Sequence, residues 1–306
     1  MTLLFFGLFA FSLALSFVAT REVRDIATRR GWVSTPGGRH LHETARPRLG
    51  GVAIFLAFSL SLTLWLVLSL IFPRLVAGVL PTTLLRIYVP ACLIFCLGIY
   101  DDLYGAGPYV KFAVQAIAAA MLFAGGMRVL DLPLIFPHTL PWYVGLPLTV
   151  LWVVAVTNAF NLIDGLDGLA AGSALFSTLV FFVVALVNQS WLCSLMSVTL
   201  AGAILGFLRF NFNPATIFLG DSGSLFIGFL LGSISLLDVT HVAGVPTLVF
   251  APVTVLAIPV FDTLFVSVTR RLRGQPISQG GTDHSSHRLV RLGLEERRAV
   301  LLLYAL

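Results

Sequence analysis

The sequence is short of charge, of cysteine and of regular alternation, and each shortage excludes something. Only 11% of its 306 residues are Asp, Glu, Lys or Arg, where a water-soluble chain carries about 25%. With a hydrophobic content of 58%, that excludes an ordinary soluble domain. The three cysteines, Cys92, Cys96 and Cys193, all lie inside apolar runs. They read as small buried hydrophobes, not as a disulfide framework or a metal site. No long basic tract occurs, despite a net charge of +5, so a nucleic-acid partner is not expected. Strand-like alternation is missing, which argues against a membrane barrel. Neither a repeat of about 20–50 residues nor an inverted pair of broken helices is visible.

What is there is a series of apolar runs of about 15–24 residues, roughly the length that crosses a bilayer as a helix. A lipid-embedded backbone must satisfy its own hydrogen bonds, so the runs predict helices. The spans are expected at 1–19, 49–72, 85–100, 109–127, 142–160, 170–188, 191–209, 222–237 and 246–269, with a tenth starting near Ala299. The expected fold is all-α: one integral-membrane domain over 1–306, a polytopic bundle of about ten helices. The last run, 299–306, is too short to cross, so a truncated C-terminal helix is expected. Residues 1–19 have no basic leader and are followed by Arg21 and Arg24. Such flanks suit an uncleaved first span with its N-terminus outside, not a signal peptide. In that orientation 16 of the 19 Lys and Arg residues fall on inner segments, and only Arg74, Arg86 and Arg128 fall outside. The positive-inside rule therefore supports it.

The acids sort to the same inner face. Asp101 and Asp102 end span three, Asp164 and Asp167 follow span five, Asp221 precedes span eight, and Asp283 follows span nine. Ionisable groups at the edge of a lipid-embedded region are costly and so mark function. The central stretch is Asn158-Ala-Phe-Asn161-Leu-Ile-Asp164-Gly165-Leu166-Asp167-Gly168. Its glycines let backbone N–H groups approach a ligand, and Asn158 and Asn161 are spaced to share a helix face. It lacks the further oxygen ligands of a calcium loop. The adjacent Asp101-Asp102 pair is disfavoured at a helix C-terminus. A bound cation would explain it, and so would a general base with a split pair of pKa values. Asp221 is either a helix cap or a ligand of a hard divalent cation that bridges to phosphate. Gly228 and Gly232 are spaced for close helix packing. Arg46-Pro-Arg48-Leu-Gly50-Gly51 adds positive charge and a flexible glycine pair. In the last inner loop, His284, His287 and Arg288 suit a diphosphate. Two histidines could also hold zinc, but a third ligand is not evident. His40 and His42 read as solvated.

Taken in order, Arg46-Pro-Arg-Leu-Gly-Gly51, Asp101-Asp102, Asn158-Ala-x-Asn-x-x-Asp-Gly-x-Asp-Gly-Leu-Ala170, Gly220-Asp-x-Gly-Ser-Leu225 and a histidine loop resemble the polyprenyl-phosphate N-acetylhexosamine-1-phosphate transferases, glycosyltransferase family 4. The arginine form of the first motif is similar to the WecA/TagO-like branch, and less to the related MraY branch. The resemblance implies a Mg²⁺-dependent transfer, with Mn²⁺ as the alternative ion. The phosphate of undecaprenyl phosphate would attack the β-phosphorus of a UDP-N-acetylhexosamine, UDP-GlcNAc first among them, and release UMP. It further implies that Asp221, with Asp102, binds the metal, and that Asp101 and Asp102 activate the lipid phosphate. Asn211, Phe218, Gly165, Leu166 and Asp167 would form the nucleoside pocket, with Phe218 stacking on uracil. Asn161 and Asp164 would line the floor near the diphosphate. His284-Ser-Ser-His287 departs from the family's His-x-His-His and leaves His287 as the expected contact there. Arg46, Arg48, Asn158, His284 and Arg288 complete the expected substrate-binding set. The setting implied is the bacterial inner membrane, with the site on the cytoplasmic side and a homodimer allowed. The competing class is an ion-coupled transporter, which would keep its ionisable residues near the bilayer midplane. Here nearly all lie at inner helix ends.

Overall fold

A computed structural model of the chain describes residues 2–34, 46–73, 79, 81–128, 140–239, 256–272 and 285–305. The elements are α1 (Thr2–Arg30), a two-residue ribbon of β1 (Val33–Ser34) and β2 (Arg46–Pro47), α2 (Gly50–Ile71), α3 (Pro81–Tyr104), α4 (Pro108–Ala124), α5 (Trp142–Ile163), α6 (Leu169–Val187), α7 (Trp191–Asn211), α8 (Gly220–Val239), α9 (Ala257–Leu272), α10 (Ser285–Arg291) and α11 (Glu296–Ala305). Among the described residues seven helices are long and apolar enough to cross a membrane, namely α1, α2, α3 and α5–α8. The chain is a multi-pass helical membrane protein.

Four expectations need correction. The first helix does not stop near residue 19. It runs on to Arg30, because the basic flank lacks a helix breaker before Gly31. The fourth span is apolar but only 17 residues long, starting where Pro108 opens the helix at its first turn. The helix expected near Ala299 starts earlier, at Glu296, and packs through Val300 and Leu303 on Leu166 and Leu169. Cys193 is buried as expected, but Cys96 is exposed and Cys92 is half-buried. Both sit on α3, whose outer surface also exposes Leu85 and Val89; lipid rather than protein can cover such side chains. Residues 246–255 of the expected ninth span lie outside the described residues, and α9 starts at Ala257.

The bundle is centred on α8. Its membrane-length window is 89% buried, against 28% for α1, and its neighbours include α2, α3, α5, α6 and α7. Glycine makes these approaches close. A Cβ on Gly98 of α3 would come within 2.5 Å of the Ser222 Cα, and one on Gly51 of α2 would run into the Gly223 backbone. Gly228 packs against α5, where a Cβ would lie 2.9 Å from the Thr157 Cα, while Gly232 makes only ordinary contacts. The Gly50-Gly51 pair is therefore a packing point, not a flexible hinge.

On the other side α1 crosses α7 through Gly202 and Gly206. The Ser12 and Ser16 hydroxyls donate to the carbonyls of Thr199 and Ala203 at 2.7 and 2.5 Å. Small residues four apart, with polar side chains as glue, are the usual way helices associate in lipid. A Cβ on Gly206 would lie 2.5 Å from the Leu13 carbonyl oxygen. Gly206→Val should therefore cost about 1–3 kcal/mol through overpacking, seen as a lower unfolding temperature in detergent. Gly7→Ala, which meets nothing within 4 Å, should leave that temperature in place.

Candidate active site

Two helix ends and two helix starts meet at one end of the bundle: the ends of α3 and α5 and the starts of α4 and α8. Asp102, in the last turn of α3, faces away from its own helix's negative pole. Its Oδ1 accepts the Asp221 N–H at 2.8 Å, and its Oδ2 accepts the Ser222 N–H at 2.9 Å. The first N–H groups of a helix have no partner within it, so α3 supplies the cap that α8 lacks. Gly220 makes room for it, with φ +74° and a would-be Cβ 2.7 Å from Asp102 Oδ2.

Asp101 points the other way. Its Oδ1 accepts the Ala106 N–H at 2.6 Å, and its Oδ2 meets the Lys111 ammonium. The same ammonium lies 2.5 Å from Asp221 Oδ2. From α5, the Asn161 carboxamide donates to Asp221 Oδ1 at 3.0 Å and to Ser224 Oγ at 2.9 Å. A single cationic head thus bridges carboxylates from α3 and α8. The Asp221 side chain is 30% exposed against 8% for Asp101, so the cluster opens on the Asp221 side.

A cleft beside this cluster is lined by Asp164, Gly165, Leu166, Asp167, Asn211 and Phe218. The five residues that the resemblance assigns to a nucleoside thus share one wall with Asp164. Asp167 is a staple: its Oδ2 accepts from Arg46 Nη1 at 3.0 Å, the Ala215 N–H at 2.9 Å and Asn213 Nδ2 at 3.4 Å. The Arg46 guanidinium lies over the Phe218 ring, 5.8 Å from its centroid. The Asn211 carboxamide donates to the Ile217 carbonyl at 3.0 Å. The Gly50 and Gly51 N–H groups donate to the carbonyls of Phe218 and Leu219 at 3.0 and 2.9 Å. The segment that leads from the cleft into Asp221 is therefore held from both sides.

α11 backs the cleft. The Tyr304 hydroxyl donates to the Gly168 carbonyl at 2.5 Å, and Asn213 donates to Glu296 Oε2 at 3.0 Å. Val300 and Leu303 pack with Leu166 and Leu169. Burial pushes the Tyr304 phenol above its ordinary pKa, so it stays protonated as a donor.

Not every expected residue joins these two groups. Arg48 donates to Ser34 Oγ at 2.9 Å. Asn158 turns to α4 and donates to Gln115 Oε1 at 2.6 Å, so the two asparagines serve different neighbours. Arg288 stacks on the Phe265 ring of α9, 5.0 Å from its centroid. His284 lies outside the described residues; His287 falls on α10, but its side chain is not among those described. Lys111 is the residue that sequence reasoning missed, having counted it only as an inner-loop charge. One signal was available: it is the single lysine among 19 basic residues.

The motif residues thus gather at one end of a helical membrane bundle, and comparison with known proteins shows the family to which they belong. The sequence profile described as glycosyl transferase family 4 matches residues 84–238. The chain is 38% identical over 304 residues to a Bacillus subtilis (strain 168) protein named "Probable undecaprenyl-phosphate N-acetylglucosaminyl 1-phosphate transferase", covering 97% of this chain and 80% of that one. It is 36% identical over 317 residues to the decaprenyl-phosphate N-acetylglucosaminephosphotransferase of Mycolicibacterium smegmatis, covering 95% and 76%. A phospho-N-acetylmuramoyl-pentapeptide-transferase of Moorella thermoacetica is 37% identical over 204 residues, covering 65% and 61%. The chain belongs to glycosyl transferase family 4.

The cap makes a prediction. In Asp102→Asn the amide keeps one acceptor oxygen for two α8 N–H groups, one of which loses its partner. The expected cost is about 1 kcal/mol, read as a lower unfolding temperature in detergent. An unchanged temperature would mean that the α8 start is held by its other contacts alone.

Proposed function

We propose that this protein transfers N-acetylglucosamine 1-phosphate from UDP-N-acetylglucosamine to undecaprenyl phosphate. The products are undecaprenyl-diphospho-N-acetylglucosamine and UMP, an initiating step for a surface glycan. The relatives' names support the substrates. The observation that carries the reading is the joining, at one end of an apolar bundle, of the Asp101–Lys111–Asp221 cluster to the cleft of Asp164–Asp167, Asn211 and Phe218. We place that end at the cytoplasmic face of a bacterial inner membrane, with the N-terminus outside. The positive-inside count supports this orientation.

The chemistry is phosphoryl transfer, in which the protein mainly positions groups and balances charge. An oxygen of the lipid phosphate bonds to the β-phosphorus while the bond from that phosphorus to the bridging oxygen breaks. The bridging oxygen leaves with UMP. The family implies a divalent cation, and the residues fit one. Two carboxylates converge with an asparagine carboxamide, and the ammonium of Lys111 stands between the carboxylates in the role of a cation. Among the described residues no group of three or more such ligands forms an all-protein cage. Mg²⁺ suits that economy, since it binds one or two carboxylates together with substrate phosphates. Bound there, Mg²⁺, or Mn²⁺ in its place, would offset the negative charge of two phosphates.

The chain's own residues divide the remaining work. Asp221 and Asp101 would hold the cation, in place of the Asp221 and Asp102 pair that the resemblance implies, and Asn161 orients Asp221. Asp102 acts as a positioning residue through the start of α8. Phe218 offers its ring to the uracil, with Arg46 and Asp167 fixing that wall. Asp164 and Gly165 line the same cleft. His287 and Arg288 remain candidates for the sugar–phosphate side.

The direct test is UMP release by purified protein supplied with UDP-N-acetylglucosamine. Release should require both undecaprenyl phosphate and a divalent cation. Sugar uptake into vesicles without UMP would point to a transporter instead. Asp221→Asn should lower turnover by at least about a hundredfold, the scale of losing a preorganised electrostatic contact; near-normal turnover would refute its role. Phe218→Leu should raise KM for the UDP-sugar by about tenfold, the worth of a lost stacking contact, with a smaller change in kcat.

A further inference from the structure

We propose that the Lys111 ammonium is a built-in competitor of the divalent cation for Asp101 and Asp221, so that cation binding and lysine release are one exchange. The inference rests on the proposed cation site and goes beyond it, because it assigns Lys111 a role in the cation-free protein.

Four observations support the exchange. First, Lys111 sits in the opening turn of α4, where the helix dipole disfavours a positive charge. Its contacts with two carboxylates offset that cost, so its place is set by the acids and not by its own helix. Second, the carboxylates arrive on different helices, α3 and α8, yet a single Nζ serves both. An ammonium is a compact charge with three donors, closer to a metal ion in shape than a planar guanidinium is. Third, Asp221 has donors on both oxygens, Asn161 on Oδ1 and Lys111 on Oδ2. A cation that reaches Oδ2 must displace the lysine, since two positive charges a few ångströms apart repel strongly in this half-buried setting. Fourth, the lysine can leave. Its side chain is 21% exposed, and a four-carbon stem swings without moving α4. Asp102 stays out of the exchange, because both its oxygens are held by the α8 backbone.

The chain's single lysine makes the test specific. The metal-free protein in detergent is titrated with Mn²⁺, bound ion being read from the loss of the free-ion electron-paramagnetic signal. Lys111 acetylation by an amine-reactive reagent is followed in parallel by mass spectrometry. Saturating Mn²⁺ or Mg²⁺ should speed Lys111 labelling several-fold in the wild type and should not do so in Asp221→Asn. Lys111→Gln and Lys111→Met should bind Mn²⁺ roughly tenfold tighter than the wild type, as expected for removing a close competing charge, although their turnover falls. A lysine that merely supports the fold would lower both affinity and turnover. If the wild type binds Mn²⁺ but labelling is unchanged or slowed, the exchange is wrong and the transferase reading stands. The exchange is equally wrong if both variants bind the ion no more tightly than the wild type. If the wild type binds no divalent cation, the proposed cation site fails and the exchange fails with it.

Discussion

The contact on which the site depends is the Asp102 carboxylate spanning the first free N–H groups of α8. A carboxylate at the end of α3 is disfavoured by that helix's own dipole, and the start of α8 is short of acceptors. Bringing the two together removes both costs at once. It also fixes the direction in which α8 begins, and Asp221 is the second residue of that helix. Gly98 and Gly51 let α3 and α2 close on the same turn, and Gly220 leaves room for the carboxylate. The geometry of Asp221 is therefore set by Asp102 beside it in the site.

This arrangement explains why two adjacent aspartates are needed when one acid would seem enough. Successive residues on a helix point about 100° apart, so Asp101 and Asp102 meet the start of α8 differently, one at the Asp221 side chain and the other at its backbone N–H. Asp102 turns to the α8 backbone, and Asp101 turns to Lys111. One builds the site and the other belongs to it. Asn161 extends the same logic from α5: its carboxamide reaches both Asp221 and Ser224, one turn apart on α8. All of these groups sit at helix ends, where access to water lowers the cost of charge. A midplane position would leave them to lipid alone.

Much of this was legible in the sequence, and the limits have physical reasons. Apolar run length gave the helices α2 to α8 within a few residues, because the bilayer fixes what length is useful. The motif residues Asp164 to Asp167, Asn211 and Phe218 do line one cleft, since they flank helix ends that the topology brings to one side. What could not be read was direction. Asn158 and Asn161 share a helix and an end, yet one turns to α4 and the other to α8. Arg46 reaches the cleft while Arg48, two residues on, turns to Ser34 in the ribbon. Gly50 and Gly51 looked like flexibility and proved to be close packing, a distinction that rests on what stands opposite. Lys111 was hidden in a charge count, and the docking of α11 against Gly168 has no sequence period to announce it.

The cleft and the acidic cluster are joined by only four residues, Phe218 to Asp221. That segment is pinned by the Gly50 and Gly51 amides, and Asn211 holds the Ile217 carbonyl just before it. A shift of the ring that faces the cleft would therefore be carried into the first turn of α8, since the chain between them has few free torsions left. The ring of Phe218 and the carboxylate of Asp221 are then parts of one mechanical unit. The Arg-Pro-Arg-Leu-Gly-Gly stretch belongs to that unit although no cation-binding group lies in it. Its arginine closes over Phe218, its proline carbonyl accepts the Phe218 N–H at 2.9 Å, and its glycines grip the next turn. A motif that reads as positive charge thus works here first as the frame that holds the Phe218 ring and Asp221 in register.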